Sequence, residues 1–152
     1  MMDRDSNTIS AGVDEEAKRA LKAAAERGIE LFNSSQYWDA HEAWEQGWTK
    51  LSQPLKAHLQ SLIMGCAAFI HLEKGRFRPA IAVARRCREL AEQSESQRAS
   101  GASQPALWIE IPGLHQLMQD VVKFEQSQTI PQNECAKLLN QAKTLKAMRK
   151  VF

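Results

Sequence analysis

Tyr37-Trp38-Asp39-Ala40-His41-Glu42-Ala43-Trp44-Glu45-Gln46-Gly47-Trp48 is the stretch from which the fold is read. It holds three of the four tryptophans, the only tyrosine and one of the four histidines. Wound as a helix, successive residues turn by about 100°. With His41 as origin, Tyr37, Trp44, Glu45 and Trp48 then fall within roughly 60° of it. An imidazole and a carboxylate therefore share one side with an aromatic stripe that should face a core, and polar groups in such a place need partners.

Outward from this stretch the pattern stays helical. Ala17, Ala20, Leu21, Ala24, Gly28, Leu31 and Phe32 recur at spacings of three and four, which predicts a helix from Asp14 onward. Asn33-Ser34-Ser35 ends it, and the second helix should run from Tyr37 to about Lys50. Ser52-Gln53-Pro54 restarts the chain, with Ser52 as a candidate cap, and a third helix covers Leu55 to Glu73. Its apolar run from Leu62 to Leu72 is about half a membrane span, so it reads as a core helix. Pro79 should open a fourth helix, with Ala80, Val83, Ala84, Cys87, Leu90 and Ala91 inward.

Residues 94–106 read as a low-complexity linker. Leu107 to Ile111 is a short, extended apolar segment plugged into the core by Trp108. A C-terminal helix pair follows within 113–150, from Gly113 to about Gln126 and from Pro131 to about Lys150, with Lys146, Arg149 and Lys150 suited to a helix end. Residues 1–12 read as a disordered leader and 13–152 as a single helical domain. No strand pattern is present. The expected fold is all-α, a compact bundle of about six helices.

An internal echo refines this. Residues 32–40 align with residues 72–80 at an offset of 40, each a helix end, a turn, an aromatic and an alanine. Two stacked helical hairpins resembling a tetratricopeptide unit should therefore form the core.

The chain has 152 residues, is 43% hydrophobic and 25% charged, and carries a net charge of +2. These are values of one ordinary globular domain, too weakly basic to argue for nucleic acid. Arg76, Arg78, Arg85, Arg86 and Arg88 read as a solvated face, with Glu89 and Glu92 following immediately. Cys66, Cys87 and Cys135 are far apart and lack metal spacing, which suits reduced core thiols in a soluble cytoplasmic protein. His58 and His115, among polar neighbours, are expected to be exposed.

On the third helix, Gln60, Met64, Ala67 and His71 fall on one line that an antiparallel neighbour would bring towards His41. The candidate site is then Tyr37, His41, Glu42, Trp44, Glu45, Trp48, Gln60 and His71. Three readings stand. It is a hydrogen-bond network, an organic-ligand pocket, or a metal site with His41, Glu45 and His71 holding zinc, manganese or iron and Glu42 as general base. No phosphate loop, dinucleotide fingerprint or nucleophile elbow is present.

Leu31-Phe32-Asn33, Tyr37-Trp38-x-Ala40-His41-Glu42-x-Trp44-Glu45-x-x-Trp48, Leu59-Gln60-x-Leu62-Ile63 and Ala67-Ala68-x-x-His71 together resemble the family catalogued as domain of unknown function 309, over about residues 28–92. The resemblance implies a compact helical bundle and marks Tyr37, His41, Glu42, Glu45, Trp48, Gln60 and His71 as its shared polar and aromatic set. Some members carry the label of predicted metal-dependent hydrolase. Ser35 and Ser61 stand where the family usually has glycine. The expected function is a binding or accessory module, monomeric or homodimeric, for a protein or small-molecule partner, without membrane or nucleic-acid binding; the alternative is a hydrolase using the His-Glu-x-x-Glu motif.

Overall fold

A computed structural model describes residues 2–48, 51–101 and 107–150, with only the backbone given for residues 2–14, 17 and 48. Helices α1 (Met2–Asn33), α2 (Tyr37–Trp48), α3 (Leu55–Glu73) and α4 (Phe77–Ser100) are followed by β1 (Ile109–Glu110), α5 (Leu114–Val122), α6 (Gln132–Thr144) and β2 (Met148–Arg149). Each helix packs on the next in sequence, and α6 reaches back to α3. The all-α bundle expected from the sequence is what forms, with a two-stranded antiparallel ladder added at one edge, Ile109 opposite Arg149 and Glu110 opposite Met148.

The two hairpins of the echo repeat each other bond for bond. Ser35 N–H donates to the Phe32 carbonyl, as Gly75 N–H does to that of Leu72. Gln36 bonds back to Leu31 as Arg76 does to His71, both at 2.9 Å, and Ala40 to Gln36 as Ala80 to Arg76. Left-handed backbone at Ser35 (φ 60°) and Gly75 (φ 69°) makes both turns. Such a helix stop usually takes glycine, because a Cβ crowds the left-handed backbone. Ser35 accepts that crowding.

The core between the hairpins is aromatic. Phe32, Tyr37 and Phe69 meet with ring centroids 5.0 to 6.3 Å apart. Trp44 is fully buried against α1, its indole N–H donating to the Ala25 carbonyl at 3.2 Å. It lies directly over Gly28, the one residue with no side chain to displace it. Helix α3 is long and apolar enough to cross a membrane by length and composition, yet 61% of its apolar window is buried inside the bundle. It forms the central core helix that its composition predicts. The three thiols are free and buried, and burial pushes Cys66 and Cys87 up, Cys87 to about 12.

Several boundaries differ from the sequence reading. The backbone of residues 2–12 is helical, continuous with the rest of α1, where a leader without structure was expected. The apolar spacing reports only the part of α1 that packs: described side chains up to Ala20 are exposed, and Ala25 is the first buried one. Helix α4 runs on to Ser100 through the expected linker. Its polar composition hides helical support, because Glu95 and Arg98 pair at 2.7 Å and the Ser94 hydroxyl donates to the Ala91 carbonyl. Residues 102–106 of that linker, like the expected end of the second helix at Lys50, lie outside the described residues. Helix α4 opens at Phe77, and Pro79 sits in its first turn, where amide N–H groups have no intrahelical partner to lose. The expected Ser52 cap does not form. The Gln53 side chain accepts from Ala57 N–H instead.

Helix α5 stops at Val122, short of Gln126, where the chain passes into turns, and α6 stops at Thr144, short of Lys150, because the residues after it are used elsewhere. Asn33 brackets Ala147, its Oδ1 accepting from the Ala147 N–H at 2.7 Å and its Nδ2 donating to the Ala147 carbonyl at 3.0 Å. Lys146 does serve a helix C-terminus, but that of α1, through the Asn33 carbonyl.

His58 is the largest departure. It is buried, stacked on Trp108 with centroids 3.7 Å apart and planes 11° from parallel, and its Nε2 accepts from the Ile109 N–H at 3.1 Å. Trp108 is the expected core plug, and His58 is what it plugs against. His115 is exposed as expected.

Two outcomes follow from this packing. Gly28→Ala gains helix propensity of about 1 kcal/mol but places a methyl inside the Trp44 indole, so thermal unfolding should show a net loss of about 2–4 kcal/mol. Burial, reinforced by Arg98, holds His58 neutral down to about pH 3. Because the folded value lies below the unfolded one, its stabilisation is complete above pH 6.5 and drains away as pH falls towards 3. The free energy of urea unfolding should drop by roughly 2 kcal/mol between pH 6.5 and 5, and His58→Gln should flatten that slope. His71, also lowered, contributes alike in both chains and cancels in the difference.

Candidate functional site

The helix wheel of α2 divides the expected site into two flanks. Tyr37 and Trp44 are buried, as the aromatic stripe requires, and the Trp48 side chain lies outside the described residues. His41 stands at the rim of the buried face, its imidazole 18% exposed, with Glu45 47% exposed beside it. Nε2 of His41 is 3.5 Å from Glu45 Oε1, a long contact that is an ion pair only when the imidazole is protonated. On its other side His41 stacks on Trp38, centroids 5.6 Å apart and planes 23° from parallel. Trp38 is 56% exposed. A residue three positions before His41 is its helical neighbour, so this contact could have been found from spacing. The apolar stripe drew attention to the other tryptophans.

Glu42 leaves the opposite flank. It lines a groove of about 400 Å³ between α1 and α2, with Arg27, Asp39 and Gln46 over a floor of alanines. It is one helical step of about 100° from His41 and shares no partner with it.

The line Gln60, Met64, Ala67 and His71 is present on α3, but all four residues are half-buried, between the buried face and solvent. Phe69 points to Tyr37 and Phe32, and His71 follows it by two residues, about 200° round the helix. The imidazole of His71 therefore leaves on the side away from the aromatic cluster. Burial lowers its pKa, and Arg76 and Lys74 from the adjoining turn add to this. Among the described residues, no three His, Cys, Asp or Glu side chains form a group that could hold a metal ion. The structure brings His41 together with Glu45 and Trp38, and brings neither Glu42 nor His71 into that group.

Two members of the expected set end in buried atoms without a hydrogen-bond partner among the described residues, His41 Nδ1 and His71 Nδ1, and buried Tyr37 Oη has no partner of full hydrogen-bond geometry, the Ser35 side chain lying nearest in effect. Burial pushes the Tyr37 phenol up, opposed in part by the Ser35 side chain. A buried polar atom left unpaired costs about 1–3 kcal/mol.

Residues 25–83 match the family model described as Domain of unknown function (DUF309). The resemblance read from the motifs is thereby shown, over a segment slightly displaced from the 28–92 expected. The DUF309 segment takes in the packed half of α1, all of α2 and α3, and the start of α4, which is the echoed pair of turns. Ser35, where the family usually has glycine, lies on the left-handed backbone that explains the glycine. No curated protein and no solved structure matches the chain.

The basic cluster of α4 is tied into local pairs. Arg85 pairs with Glu125, Arg86 with Glu89 and Arg88 with Glu92. It is a solvated face of the kind the sequence suggests.

If His41 and Glu45 were a stabilising core network, breaking the pair would unfold the bundle. At the observed exposure and distance, Glu45→Gln should change the free energy of urea unfolding by no more than about 0.5 kcal/mol.

Proposed function

We propose that the protein is a helical interaction module whose DUF309 segment docks a protein partner on the Trp38–His41–Glu45 rim of α2. The observation that carries this is the Trp38 ring, more than half exposed and stacked on a half-buried histidine. A tryptophan held in place before binding loses little side-chain freedom on contact, and such residues dominate interface energetics. Glu45 beside it supplies a charge to fix orientation, and the unpartnered Nδ1 of His41 supplies a polar atom for a partner to satisfy.

The metal-dependent hydrolase reading needs a third donor beside His41 and Glu45 and a base beside them, and the directions of His71 and Glu42 count against both.

A photo-reactive amino acid at position 38, in cells producing the protein, should give a discrete protein adduct that the same residue at Glu89, on α4, does not. Trp38→Ala, which removes an exposed side chain, should leave the fold intact. Adducts equal at the two positions would overturn the proposal. Metal content near one equivalent that His41→Ala abolishes, without unfolding, would favour the hydrolase.

A further inference from the structure

Among the described residues, the buried polar side chains are His58, Ser61 and Ser94, with 7%, 2% and 0% exposure. All three line one cavity of about 160 Å³ between α3, α4 and the β1 segment, whose lining includes no residue of α2. Three polar groups scattered at random through a core would not share one cavity.

Their hydrogen bonds fix what the cavity offers. The Ser61 hydroxyl donates to the His58 carbonyl, and the Ser94 hydroxyl to the Ala91 carbonyl. Both protons are committed, so each oxygen is left to accept. Nε2 of His58 accepts from the Ile109 N–H and so carries no proton. A neutral imidazole must then hold its proton on Nδ1, where no described residue accepts it. The cavity thus presents one N–H donor, two hydroxyl acceptors and the wall of Trp108, with burial keeping the imidazole uncharged. The charged residues at this cavity are Glu95 and Glu110 in its lining and Arg98 over Trp108, and Arg98 is already paired with Glu95, so a carboxylate guest would lose hydration while meeting two carboxylates and a cation already engaged.

We infer that this cavity is a binding site for a small neutral primary carboxamide, its carbonyl accepting from His58 Nδ1–H and its two amide protons reaching Ser61 and Ser94. A primary amide has one acceptor group and two N–H donors, the complement of this lining. The volume suits a guest of about ten non-hydrogen atoms or fewer.

Titration of the unaltered full chain with benzamide, followed by NMR at the Trp108 indole and Ile109 amide, tests this. Benzamide should give saturable shifts. Its charged isostere benzoate and its apolar counterpart toluene should each bind at least about tenfold more weakly. Ser94→Ala should weaken benzamide about tenfold and leave toluene unchanged. Should that variant fail to fold, the three-compound series on the unaltered chain decides alone. Toluene binding as well as benzamide would make this an apolar void. No saturable shift up to the solubility limit of benzamide would make it a cavity for water. Either result overturns the inference.

Discussion

Everything in the first half of the bundle depends on Trp44 lying flat against Gly28. A glycine in mid-helix sacrifices about 1 kcal/mol of helix propensity, and here the loss opens a slot for the largest side chain of the core. Once the indole is seated and its N–H tied to the Ala25 carbonyl, the rotation of α2 about its axis is fixed. That rotation in turn sets which residues are rim and which are groove: His41, Trp38 and Glu45 on one flank, Asp39, Glu42 and Gln46 on the other. The rim proposed for docking is a by-product of one close helix contact.

Helix type and order were legible in the sequence because α2, α3 and the packed part of α1 carry strong apolar periodicity. The turns were legible for a different reason: the same backbone solution occurs at residues 35 and 75, so one copy could be read against the other. What escaped was structure held by contacts distant in the chain. His58 sits among polar neighbours in sequence, and nothing local announces that Trp108 and Ile109 will cover it. The ladder of β1 with β2 and the bracket of Asn33 on Ala147 are invisible for the same reason. At the site, the wheel placed His41 and Glu45 together correctly, but it could not give the rotation of α3, which turns His71 away.

Polar groups in this molecule fall into two populations with different physics. Those on α2 stand at the edge of the core, half in water, where pairing is weak and side chains stay available to a partner. Those around Ser94 are enclosed and directional, each proton assigned by a backbone bond. Enclosed groups give selectivity and rim groups give access. One set stands on α2, and the other is enclosed between α3, α4 and the β1 segment.

The Asn33–Ala147 bracket joins residues 114 positions apart. It ties the last turn of α1, which carries the first hairpin, to a segment beyond all the other helices. Loop-closure entropy grows only slowly with length, so a clasp of this reach costs little more than a short one. It therefore makes the stability of the first hairpin answerable to the tail: any event that frays residues 146–149 also uncaps α1 and loosens the floor beneath Trp44.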